Sequence, residues 1–335
     1  MQYTSLITFV LSLLLHYVFA TPVPTPVELV KRAARTSTPS GCLTVRGSNT
    51  QSGEYATFGA ALSKLGTSST AAACIFVYSG TYKEQIVVQY KGALTIYGYT
   101  TNTGTYKSNT VILTYTQTST AAGSLDASAT ANIKSANFRA YNINFVNGYG
   151  AGTQAVAVTA NGNKQGFYGC SFKGYQDTLY AKSGFQYYSN CYIEGAVDYI
   201  FGDAAAWFGE CTIRSNGGGY ITANSREVAS DTTWYVFDHS TVAGVDGQSL
   251  AGKVYLGRPW RVLARVIYQY NSLSNIINAA GWTTMAEGAT PVYMEYQNTG
   301  DGSNTSARKY LTASKASVTK GQLWGGDTSW IDTSY

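Results

Sequence analysis

The chain of 335 residues has only 12% charged side chains and a net charge of +5, a modest excess that suits either an acidic partner or simple solubility. Gly (35) and Tyr (28) are abundant while Pro (6) is scarce, the profile of an exported β-rich protein with many turns. Of the two histidines one lies in an N-terminal apolar run. With no Gly-x-Ser-x-Gly elbow either, serine-hydrolase chemistry has little to stand on, and no Cys or His spacing matches a zinc or haem site.

Leu6 to Phe19 is apolar and ends in Val18-Phe19-Ala20, a small-residue cleavage pattern on a run too short to span a bilayer. A signal peptide is expected over residues 1–20, and with it a secreted, extracellular protein. Residues 21–35 hold Thr21-Pro22-Val23-Pro24-Thr25-Pro26 and the dibasic pair Lys31-Arg32, so a disordered linker or cleavable pro-segment is expected there. Residues 36–335 are read as one catalytic domain.

Cys42 to Val45 reads as a first strand. Tyr55 to Leu65 places Phe58, Ala61, Leu62 and Leu65 at helical spacing, which predicts a short capping helix over the open end of the sheet structure. Ile75 to Tyr78, Gln85 to Val88 and Leu94 to Tyr97 follow as strands separated by Gly80 and Gly92. The pattern continues through Val111 to Tyr115, Asn137 to Val146 and Ala155 to Thr159.

The chain then repeats itself. Cys170-Ser171-Phe172-Lys173-Gly174-Tyr175-Gln176-Asp177 is echoed 21 residues later by Cys191-Tyr192-Ile193-Glu194-Gly195-Ala196-Val197-Asp198, and Cys211-Thr212-Ile213-Arg214 opens a third copy after 20 more. Each Cys follows an aromatic pair: Phe167-Tyr168, Tyr187-Tyr188 and Trp207-Phe208. So short a period, carried by β-branched and aromatic runs, predicts an all-β solenoid, a parallel β-helix whose coils stack about 4.8 Å apart. Cys170, Cys191 and Cys211 are then a buried ladder, leaving Cys42 and Cys74 free to pair near the N-terminal cap.

Strands resume at Tyr220 to Ala223, Trp234 to Phe237, Lys253 to Leu256 and Arg265 to Tyr270. Beyond them Gly281-Trp282, Tyr293 to Tyr296 and a weakly helical run near Thr312 to Leu323 form a tail expected to pack on the outside of the solenoid. Asn304-Thr305-Ser306 is the one N-glycosylation acceptor that fits its pattern.

Stacking makes the chemistry legible. Asp177 and Asp198, one period apart, fall side by side, an arrangement that favours a proton on one of them or a cation close by. Gln154 and Gln176, 22 residues apart, add amide donors beside them. Arg258, fixed between Gly257 and Pro259-Trp260, suits bidentate grip on a carboxylate. Together these supply a nucleophile, an acid, an orienting cation and oxyanion donors, which is enough for acyl transfer without Ser or His.

The segments Gly174-Tyr175-Gln176-Asp177-Thr178-Leu179-Tyr180, Val197-Asp198-Tyr199-Ile200-Phe201-Gly202 and Leu256-Gly257-Arg258-Pro259-Trp260 resemble the signature motifs of pectinesterases, and Gly152-Thr153-Gln154-Ala155-Val156-Ala157-Val158 looks like that family's first motif. Gly281-Trp282, Glu295-Tyr296, Asn298-Thr299-Gly300 and Arg308 match as well. The resemblance implies a right-handed parallel β-helix that hydrolyses galacturonate methyl esters of homogalacturonan to methanol and pectate. By the same resemblance Asp198 is the nucleophile, Asp177 the acid and then base, Gln154 and Gln176 the oxyanion donors, and Arg258 the residue that keeps Asp198 ionised. Trp260, Phe201, Tyr199, Val197 and Tyr175 are expected to contact the sugar. Asp203, where many relatives have Asn, adds an anion after the nucleophile. The expected protein is a monomer that needs no cofactor or metal and binds neither nucleic acid nor membrane.

Three competing readings remain at this level. A retaining glycosidase also uses two close carboxylates. A Ca²⁺-dependent lyase on the same architecture would need a larger acidic cluster. A non-catalytic wall-binding solenoid would need none of the set.

Overall fold

The computed structural model describes residues 33–335; the expected signal peptide over 1–20 and the pro-segment as far as residue 32 lie outside the described residues. From Leu43 onward the chain winds through three faces of parallel strands. The first face is a ten-stranded sheet running from Leu43–Val45 to Val292–Tyr296, every neighbouring pair parallel and most one coil apart. The second carries Val111–Tyr115, Asn144–Asn147 and Ser171–Lys173. The third carries Ile86–Val88, Ala131–Ile133, Val158–Asn161, Leu179–Ser183 and Val254–Pro259. Two long strands, Tyr192–Gly202 and Thr212–Asn224, cross the corner and belong to both. This is the expected parallel β-helix.

The Cys repeat has a specific cause. Between the first and second faces one residue per coil takes left-handed backbone: Asn142, Gly169, Asn190, Glu210, His239, Tyr270 and Gln297, with φ between 47 and 57°. From Gly169 onward the residue after that corner points inward and donates back to the first-face strand one coil earlier. Cys170 reaches Ala140 O, Cys191 Phe167 O, Cys211 Tyr188 O, Ser240 Phe208 O and Asn271 Phe237 O. The three thiols are buried and free; a small weak donor fills the corner where later coils use Ser and Asn.

Three residues before each Cys an aromatic ring points inward, and the rings stack coil on coil. Phe167 lies 5.0 Å from Tyr188, Tyr188 4.7 Å from Phe208, Phe208 4.6 Å from Phe237 and Phe237 4.4 Å from Tyr268, all within 8° of parallel. Such pairs add about 0.5–1.5 kcal/mol each beyond area burial. The alternate rings Tyr141, Tyr168, Tyr187 and Trp207 point outward, where the tail covers them with Val318, Leu323, Trp324 and Trp330. A first-face strand is thus buried on both sides, so it reads as a continuous aromatic run instead of alternating.

Local boundaries differ from expectation for identifiable reasons. The capping helix is Phe58–Leu65, starting later than Tyr55, because Thr57 caps it by accepting from Ala60 N while Tyr55 bridges to Val45. Asn137 to Val146 is two strands, Phe138–Tyr141 and Asn144–Asn147, broken at left-handed Asn142. Gly80 opens a strand, Gly80–Lys83, and does not merely separate two. Cys42 and Cys74 form a disulfide with Cα atoms 4.6 Å apart, tying the first two first-face strands. The linker expected to reach residue 35 ends sooner: Arg35 pairs with Thr100 through both backbone groups, and its guanidinium lies 4.7 Å from the Tyr97 ring centroid. The tail's helical part shrinks to Lys320–Leu323, capped by Thr319.

The matched tail residues have a structural role. Glu295 and Arg308 form an ion pair with each side chain 2% exposed, and Glu295 also accepts from Trp282 Nε1 at 3.1 Å. Arg308→Ala strands the Glu295 carboxylate, so a loss of about 3–5 kcal/mol in unfolding free energy is expected in denaturant titration.

Candidate active site

Asp198 sits within the long strand Tyr192–Gly202 at a break in register between Val197 and Ile200, with φ 50°. Asp177 lies one coil earlier, with φ 63°, and its N–H donates to Val197 O at 3.0 Å. Left-handed backbone at two non-glycine residues costs of order 1 kcal/mol each, and strain of this kind gathers at functional sites. Its effect here is to turn both carboxyls outward from strands whose next residues, Thr178 and Tyr199, are fully buried.

Arg258, on Val254–Pro259, grips Asp198 with two bonds: Nε to Oδ1 at 2.9 Å and an amino nitrogen to Oδ2 at 2.6 Å. The guanidinium lies 3.9 Å from the Tyr220 ring centroid, a cation–π contact that fixes its plane. Asp177 is 7% exposed and its carboxyl makes no hydrogen bond among the described residues. The two aspartates, Gln154, Gln176 and Arg258 line one cavity of about 280 Å³, closed by Leu125, Phe201, Ala223, Trp260 and Met285.

The two carboxyls are electrostatically unequal. Burial, then the negative charge of Asp198, pushes Asp177 up to about 8, with Arg258 opposing. Burial also raises Asp198, but Arg258's bonds and charge pull it back. Arg258 acts on Asp198 in the expected direction, but removal from water outweighs the cation and leaves the carboxyl above the ordinary aspartate value. The ranking holds, because only Asp177 lacks a direct partner. Asp203 is half-buried, accepts from Thr233 Oγ1, and is also raised by burial.

Apolar surface flanks the charges. Phe201 stacks on Tyr180 at 4.3 Å and lies 5.8 Å from Trp260, next to Ala223, Val156 and Leu125. Of the five residues expected to contact sugar, Trp260 and Phe201 line the cavity. Tyr199 does not: it is fully buried, its hydroxyl 3.0 Å from Ser215 Oγ, because the left-handed turn at Asp198 sends the next side chain into the core. Val197 and Tyr175 are half-buried and outside the cavity wall. Leu125, Ala223 and Met285 were missed: Leu125 and Met285 lie on polar excursions, and nothing in the strand Thr212–Asn224 marks its small Ala223, paired in register with Arg258, as a wall. His239 is exposed beside Asp238 and remote from this chemistry. Among the described residues no group of three His, Cys, Asp or Glu is placed to hold a metal ion.

A buried acid beside an Arg-clamped carboxylate, with amides and an apolar wall, can transfer an acyl group. The comparisons agree. The sequence pattern of the Pectinesterase family matches residues 44–324. Pectinesterase A of Emericella nidulans is 65% identical over 92% of this chain and 94% of its own length. The crystal structure of the pectin methylesterase from Aspergillus niger, in a form trimmed to an N-acetylglucosamine stub, is 60% identical with a TM-score of 0.87, covering 90% of this chain and all of that one. The carrot pectin methylesterase is 31% identical, TM-score 0.78, over 87% of this chain and 95% of its own. On sequence pattern, overall identity and fold alike, the chain belongs to the pectinesterase family.

Proposed function

We propose that the Asp177–Asp198 cavity hydrolyses the methyl esters of galacturonate in pectin by covalent catalysis. The observation that carries this reading is the asymmetry of the pair, an Arg258-held carboxylate beside a partnerless, proton-retaining one. An Asp198 oxygen attacks the ester carbonyl carbon, and the carbonyl electron pair moves to oxygen. Amide hydrogens of Gln154 and Gln176 stabilise that oxyanion. Collapse breaks the bond to methoxide, which takes the proton of Asp177 and leaves as methanol. Asp177, now a carboxylate, removes a proton from water. The resulting hydroxide attacks the acyl carbon, releasing galacturonate and restoring Asp198, with Asp177 protonated again.

Phe201, Trp260 and Leu125 supply an apolar surface for the methyl group and sugar face. A glycosidase reading is not favoured, since Gln154 and Gln176 line the same cavity and amide donors suit a developing oxyanion, not the positive charge that glycoside cleavage develops. Methanol release from highly methylated pectin, with new reducing ends and unsaturated products assayed in the same tube, tests the proposal. Methanol without chain cleavage is expected; cleavage without methanol would overturn it.

The same reading covers the rest of the chain. Residues 1–20 serve as a signal peptide, 36–335 as the catalytic unit, and the protein acts as a secreted monomer on pectin in cell-wall modification and degradation. No helix among the described residues is long and apolar enough to cross a membrane. Asn304 is exposed in a turn where its Oδ1 accepts from Ser306 N, a site open to glycosylation.

A further inference from the structure

An excursion at residues 116–130 leaves the solenoid between the second and third faces and carries two short helices, Ser119–Ala122 and Leu125–Ser128. It is anchored by buried Asn147, whose Nδ2 donates to Gln117 O, Ser128 O and Val156 O. Leu125 forms part of the cavity wall. A second contact with the site is polar. Ser119 N–H donates to the Gln154 carbonyl at 2.9 Å, and Ser119 Oγ donates to Gln154 Oε1 at 3.1 Å. Thr153 Oγ1, beside it in the chain, donates to the same Oε1 at 3.1 Å.

A carboxamide oxygen has two acceptor positions, and here both are filled by hydroxyls. Gln154 Nε2 has no partner among the described residues, while the residue lines the cavity with Asp177 and Asp198. The opposite flip would leave both hydroxyls without that acceptor, so hydrogen bonding fixes the orientation.

We propose that Ser119 and Thr153 are positioning residues for ester hydrolysis: their hydroxyls hold the Gln154 carboxamide with its Nε2 hydrogens presented to the oxyanion. This rests on the esterase reading above. Neither hydroxyl touches the substrate; both act through Gln154. The long excursion thus contributes a residue to catalysis as well as a wall to the cavity.

The test is methanol-release kinetics on Ser119→Ala, Thr153→Val, their double variant, Ser119→Thr and Gln154→Ala. Ser119→Ala keeps the backbone N–H that pins the excursion and removes only the hydroxyl. For the double variant kcat is expected to fall about ten- to a hundredfold with KM within about twofold of the parent. Ser119→Thr should retain most of kcat, and adding Ser119→Ala and Thr153→Val to Gln154→Ala should cost nothing further. A double variant with the parent's kcat beside a crippled Gln154→Ala would overturn the positioning role and leave the esterase reading intact. Full activity in Gln154→Ala would overturn the role of that amide and this proposal with it. A rise in KM with kcat unchanged would also overturn it, since that would place the hydroxyls in substrate binding.

Discussion

Asp198→Asn is expected to fold and to release methanol from methyl-esterified pectin at least about 10⁴-fold more slowly than the parent, the scale of loss when a nucleophile is removed. Asparagine keeps an acceptor oxygen for Arg258, so the cation is not left wholly unpaired in a half-buried site. Asp198→Ala should lose activity equally, yet it leaves Arg258 without its two bonds and is the less clean variant. Near-ultraviolet circular dichroism and thermal unfolding separate lost chemistry from lost fold. Parent-like turnover by folded Asp198→Asn would remove the nucleophile from this account.

The pH profile is the second large effect. The acid that protonates departing methanol must hold its proton, and Asp177 does so up to about pH 8 because burial and Asp198 oppose its ionisation. kcat/KM is therefore expected to fall about tenfold per pH unit above that point. On the acid side the limit is protonation of Asp198, which burial sets above the ordinary aspartate value of 3.8. A linked stability effect has a definite sign. Between pH 3.8 and about 8 the folded state keeps on Asp177 a proton that the unfolded chain has lost. This contribution to stability is full below 3.8 and disappears as pH rises through about 8. Asp177→Asn should thus be nearly inactive and yet melt higher than the parent at pH 9, the reverse of most buried-site substitutions. An alkaline limb unmoved from the parent's in any Asp177 variant that retains activity would contradict the assignment.

How much of this was readable in advance depends on whether one period of the chain carries the information. The Asp177 and Asp198 spacing needed only coil stacking, and so did the thiol ladder, since both repeat with the solenoid. Arg258 was legible because Pro259 and Gly257 fix its backbone. Tyr199 was not: strand alternation places it outward beside Val197, and only the left-handed backbone at Asp198 reverses that. Leu125 and Ser119 escaped because they lie on an excursion outside the repeat, where no periodicity says what it folds back upon. For Asp198, sequence shows the cation that lowers proton affinity but not the depth of burial that raises it.

Covalent attack by Asp198 is the central claim, and the partitioning of turnover between water and hydroxylamine tests it most directly. Both nucleophiles meet the galacturonyl carbonyl of one and the same Asp198–galacturonyl anhydride after the alcohol has left, so the account predicts the same ratio of galacturonyl hydroxamate to galacturonate from methyl- and ethyl-esterified pectin. A ratio that changes with the departing alcohol would contradict it.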